Sequence, residues 1–216
     1  MLATSRTRRL AALAATSALA LLAGCGPRAR PLVGVPAPAV LPRAELPPGR
    51  QRYDFRWEYQ DGDVVARGDG VARVAAPDSI RLDFFLDGGL GGGYAVVLGN
   101  DVFAPGGEQV RRFLPPPPLL WASLGRLAVP PSPDTSARVD GGTLRADIGR
   151  DPTWRASFAG ARLTRLERID DGRIAEWVSR DSSSVHYVHT TARRALTLSK
   201  VRSQPAGDFD ATIWTH

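Results

Sequence analysis

Cysteine is nearly absent: the chain has one in 216 residues, so no disulfide framework and no thiolate-ligated metal cluster can form within it. Lysine is as scarce, with Lys200 the sole example, which leaves a Schiff base or a phosphate-loop lysine a single candidate. Histidine appears three times and the aromatics make up 7%, so a metal site or an aromatic nucleic-acid platform has few residues to draw on. The formal charge of +6 looks basic, but it is confined to the start of the chain. From residue 51 onward 21 basic residues face 21 acidic ones, so the body is neutral. Phosphate-backbone binding needs clustered cations that release counterions, and a neutral body excludes nucleic acid as partner.

The first 24 residues read as an address. Arg6, Arg8 and Arg9 precede the uncharged run Leu10 to Leu22, which is too short to span a bilayer that needs about 20 residues and has the order of a secretory signal. The following Leu22-Ala23-Gly24-Cys25 resembles the bacterial lipobox, whose cysteine receives a diacylglyceryl thioether before the signal is cut away. That resemblance makes Cys25 the lipid anchor and the membrane a partner through its acyl chains, each buried CH₂ contributing about 0.8 kcal/mol. It also removes the only thiol from chemistry. Gly26 follows in place of the aspartate that favours inner-membrane retention, which points to the outer membrane facing the periplasm.

Residues 25–50 form a second segment, with seven prolines between Gly26 and Arg50. Proline removes amide donors and fixes φ, so neither a helix nor a ladder is expected there. The segment reads as an extended tether, reaching on the order of 70 Å at about 3.1 Å per residue. Its four arginines either lie against anionic headgroups or do nothing.

From residue 51 to 216 the pattern is that of strands. Tyr53, Phe55, Trp57 and Tyr59 alternate with charged residues, and Ile80, Leu82, Phe84 and Leu86 do the same after the small residues Ala66, Gly68, Gly70 and Ala72. Runs with the same cadence continue from Tyr94, Val102, Ser136, Thr143, Thr153, Arg162, Arg173, Val185 and Leu196, with Asp-Gly turns at 61–62, 87–88, 140–141 and 171–172. The spacing predicts a mainly β fold: a single antiparallel sheet curved into an open barrel, with one or a few short helices on its concave side. A short helix or broken turn is expected from about Pro117 to Ala128, its prolines in the first turn and Leu120, Leu124 and Leu127 at helical spacing.

Few residues invite catalysis. His186 and His189 stand three apart on a strand and so point to opposite faces, which gives no shared metal site. Asp181-Ser182-Ser183-Ser184 with His186 has the residue types of a hydrolytic triad and also of a polar hairpin. The glycines around Leu90 do not lead into a phosphate loop. They set Leu90 at a hairpin tip, either as a membrane contact or folded back on the sheet.

The aromatic first strand, the passage from Gly68 to Leu82, the Leu90 loop and the apolar segment before Pro130 together resemble the LolA/LolB-type lipoprotein carriers. The resemblance implies an unclosed barrel with a hydrophobic interior under helices, no cofactor, and acyl chains of lipids or lipoproteins as ligands of a monomer. It implies Tyr53, Phe55, Trp57, Tyr59, Leu82 and Phe84 as ligand-lining residues and Leu90 as the protruding membrane-contact residue. The family's N-terminal helix would fall in the proline-rich segment. Two readings follow: a non-catalytic acyl-chain-binding envelope lipoprotein, or a structural or protein-interaction domain with a closed core. A hydrolase using His186 or His189 is a third.

Overall fold

The computed structural model describes residues 26–89 and 91–215, and Cys25 and Leu90 therefore lie outside the described residues. Thirteen strands form one antiparallel sheet. They are β1 (Val35–Ala37), β2 (Arg50–Asp61), β3 (Val64–Ala75), β4 (Ser79–Leu86), β5 (Gly92–Leu98), β6 (Asp101–Phe103) and β7 (Thr135–Asp140). After them come β8 (Thr143–Ile148), β9 (Thr153–Ala159), β10 (Arg162–Asp170), β11 (Arg173–Arg180), β12 (Val185–His189) and β13 (Arg194–Pro205). Two helices, α1 (Gly107–Phe113) and α2 (Pro117–Ser123), lie between β6 and β7.

The sheet order is β1-β7-β8-β9-β10-β11-β12-β13-β2-β3-β4-β5-β6, so β1 and β6 are edges that do not pair with each other. The barrel is open, as the strand cadence predicts, and β2 lies in its middle, where β13 returns to pair with it from Arg194↔Asp61 to Pro205↔Gln51. The alternation of β2 puts Tyr53, Phe55, Trp57 and Tyr59 on the concave face, where all four are buried. The small residues of β3 serve that face, because the register sets Phe55 opposite Gly70 and Trp57 opposite Gly68. Rings from β2 lie over the bare backbone of β3, and Trp57 Nε1 donates to the Asp69 carbonyl at 2.8 Å.

Helix α2 covers the concave side of β10 to β12. Its core side, Leu119, Leu120, Trp121 and Ala122, is buried, and Trp121 Nε1 donates to the Gly99 carbonyl at 2.7 Å, tying the helix to the β5–β6 turn. The expected helix over 117–128 is shorter than the pattern suggests. Leu124 ends it and Gly125 takes φ +95°, a left-handed value that closes the C-terminus. Helix α1 was not expected, since its short stretch offers only Val110 and Phe113 as an apolar pair.

The proline-rich segment corrects the reading of a free tether without a ladder. Pro27 accepts from Ile174, Ala29 donates to Gly172, and Val35–Ala37 pairs with β7 as an edge strand. Pro36 is admissible there because an edge residue needs no ladder donor on its outer side. Ala44 and Leu46 then turn into the core, with the Ala44 carbonyl accepting from Leu127. The segment straps the outer face and closes over part of the open side.

Candidate functional site

Between the concave face and the segment from Leu114 through α2 to Leu124 lies a cavity of about 110 Å³. Its floor comes from the sheet centre: Tyr53 and Phe55 of β2, Ala72 of β3, and Ile80, Leu82 and Phe84 of β4. Its roof is Leu114, Leu120 and Leu124 from the helical segment, and its far wall is Val185, Leu196, Leu198 and Val201. An apolar cavity of about 150 Å³ admits benzene, and this one is smaller and open, so it has room for a short hydrocarbon segment.

The aromatic packing decides which expected residues reach it. Phe84 sits edge-on to both Phe55, at 6.2 Å between centroids, and Trp57, at 5.9 Å. Phe113 of α1 then covers the other end of the row, 4.2 Å from Tyr59 and 6.2 Å from Trp57. Four of the six expected lining residues, Tyr53, Phe55, Leu82 and Phe84, therefore border the cavity. Trp57 and Tyr59 are packed under α1, where the Tyr59 hydroxyl donates to the Arg112 carbonyl at 3.3 Å.

One end of the cavity is polar. Arg180, at the end of β11, lines it together with the turn Asp181–Ser184 and Ser203 of β13. The turn is built on Asp181, whose carboxylate accepts from the amides of Ser183 and Ser184 at 2.8 Å and from the Ser184 hydroxyl at 2.6 Å. These donors, the Ser184 hydroxyl foremost, hold the Asp181 carboxyl down at about 2. A bulge in β13, with Lys200 at φ +54°, lets the Val201 amide donate to the Ser183 carbonyl and fixes the turn over the cavity mouth. Burial raises the Tyr53 hydroxyl above its ordinary value, while the Arg180 charge acts on it in the opposite sense.

The triad-like residues are not brought together. The Ser184 hydroxyl is committed to Asp181, and His186 Nδ1 lies 3.3 Å from the Thr197 hydroxyl. His189 shares its face with Glu176, which is buried and ion-paired to Arg168 at 3.0 Å, and the Tyr187 hydroxyl donates to Glu176 at 2.7 Å. Burial, and then the Glu176 carboxylate, push the Tyr187 phenol well above the ordinary tyrosine range. Among the described residues no group of three or more His, Cys, Asp or Glu is placed to hold a metal ion.

No family model matches the sequence, and no curated protein matches it. The fold is similar to that of a LolA superfamily protein from Nitrosomonas europaea, at 10% identity and TM-score 0.49, over 81% of this chain and 93% of that one. It is also similar to an outer membrane lipoprotein-sorting protein domain from Vibrio parahaemolyticus, at 6% identity and TM-score 0.46, over 77% and 89%. A DUF1329 family protein from Desulfovibrio piger is a third, at 9% identity and TM-score 0.43, over 78% and 90%. At such identities the likeness concerns general form, and function has to be sought in this chain's own cavity.

Proposed function

We propose that this chain is a bacterial cell-envelope lipoprotein, anchored through acyl chains on Cys25, that binds an apolar chain of a lipid or lipoprotein without catalysis. The observation that carries the reading is the cavity under α2, walled by Phe55, Ile80, Leu82 and Leu120 and open at one end. A protein that used these residues only as a core would fill the space, because interiors pack to crystal density. A cavity of about 110 Å³ holds only part of a long acyl chain. The remainder leaves through the mouth, or α2 and the following turn lift.

Exchange with a membrane needs no fuel. Each CH₂ gains about 0.8 kcal/mol on entering an apolar site and loses a similar amount on leaving a bilayer. The anchor would hold the body close to the membrane: Cys25 immediately precedes Gly26, which is buried beside Ile174 and Thr190. The outer membrane and a monomeric state belong to the same proposal, as does Leu90 as a membrane contact.

The test is lipid co-purification. Residues 26–216 extracted with organic solvent should release acyl lipids seen by mass spectrometry, and Phe84→Asp should lose them while keeping a cooperative melt. A lipid blank from the unaltered chain would overturn the reading and favour a closed interaction domain.

A further inference from the structure

Arg180 is out of keeping with its surroundings. Its Nε is buried without a hydrogen-bond partner, and among the described residues no hydrogen bond or ion pair reaches the guanidinium. The neighbouring acid Asp181 accepts no hydrogen bond from it, being held by the amides and hydroxyls of its own turn, and acts on it through charge alone. A second cation, Arg162, is close enough to act on it electrostatically. One Arg180 nitrogen fills the space beside Gly125 at the C-terminal turn of α2, where a Cβ would stand 2.1 Å away. The cation is thus held at the joint between sheet and helix, facing the cavity. The hydroxyls of Ser182 and Ser203 border the same space and have no hydrogen bond among the described residues.

The Arg180 Nε is buried without a partner and its other nitrogens have none among the described residues, and an oxyanion is the partner whose geometry the planar fork fits. Resting on the apolar-chain reading, we propose that Arg180 receives the anionic head, a carboxylate or phosphate, of an amphiphile whose tail enters between Phe55, Leu82 and Leu120. Ser182 and Ser203 donate to the remaining oxygens. The ligand is then an acidic amphiphile, and a neutral one of equal length binds more weakly.

The experiment is calorimetric titration of residues 26–216, which hold the whole sheet, both helices and the core, with octanoate, octyl phosphate, octanol and inorganic phosphate at pH 8. Charged hydrogen bonds of this kind correspond to about a ten- to hundredfold preference for the two acids over octanol. Arg180→Gln should bring that preference down to within about threefold while octanol binds as before, and Arg180→Lys should keep part of it. Inorganic phosphate alone should fail to compete. Octanol binding as tightly as octanoate to the unaltered chain overturns the headgroup site and leaves the apolar-chain reading standing, and no binding by any octyl compound overturns both. Strong binding of phosphate alone, displaced by no octyl compound, would make the site one for a free anion and also overturn the proposal. The comparison of ligands on the unaltered chain decides the matter even if a variant does not fold.

Discussion

The ring of Phe55 occupies the space that a side chain on Gly70 would need, its Cε2 standing 2.2 Å from the position of a Cβ there. Phe84 stands opposite the same glycine on the neighbouring strand, so Gly70 lies between two residues whose rings border the cavity. Adding bulk at this point overpacks the floor. Gly70→Val is expected to destabilise by about 1–3 kcal/mol in denaturant titration. Gly207→Ala, with nothing within 4 Å of its Cβ, should change stability by less than about 0.5 kcal/mol. Equal effects at the two sites would refute the close packing at Gly70.

The strap makes a second prediction. A chain beginning at residue 38 loses β1 and leaves the β7 edge, Thr135–Asp140, unpaired. Open edges template intermolecular pairing, so the shortened chain should self-associate in sedimentation velocity where residues 26–216 do not. A shortened chain that stays monomeric and equally stable would show the strap to be dispensable.

The turn over the cavity mouth titrates at an unusual pH. The Asp181 carboxyl is held down to about 2, below its unfolded value near 4. The stabilisation is therefore present above about pH 4 and is lost as pH falls through about 2. Amide resonances of Ser183 and Ser184 should follow a midpoint near 2 in an NMR titration. A midpoint near 4 would mean that the carboxylate is not held by its turn.

The buried Glu176 and Tyr187 and the half-buried Arg168 form a linked group. Tyr187→Phe should cost about 1–2 kcal/mol and the same change in a Glu176→Gln background less, with a coupling of at least about 0.5 kcal/mol in a double-mutant cycle. The raised Tyr187 phenol also keeps its proton where ordinary tyrosines lose theirs. Its contribution to stability is whole below the ordinary tyrosine range and declines only above it. Strict additivity in the cycle would dissolve the group into independent contacts.

The strands were legible because side-chain alternation survives translation into burial: Tyr53, Phe55, Trp57 and Tyr59 are buried on the face their spacing assigns, as are Ile80 and Leu82, with Phe84 and Leu86 half-buried beside them. The helix α1 was not, since Gly106 and Gly107 open it and no apolar stripe runs through it. Nor was the strap, because proline excludes a central strand but not three residues on an edge. Within the candidate site, apolar parity placed Phe55, Phe84, Trp57 and Tyr59 on one face alike, and it could not show that Phe113 covers Trp57 and Tyr59 from a helix while Phe55 and Phe84 border the cavity. Arg180 went unnoticed for the converse reason. It shares parity with buried Val178, two residues earlier on β11, and that single offset was the available signal for a cation on the concave face.

A bromine atom on a hydrocarbon tail locates that tail directly. Crystals of residues 26–216 grown with a fatty acid brominated near its methyl end should give an anomalous peak in the space between Phe55, Leu82 and Leu120. Bromine found only on the outer surface, with that space empty or filled by rearranged side chains, would contradict the proposal that this half-open barrel receives a hydrocarbon chain.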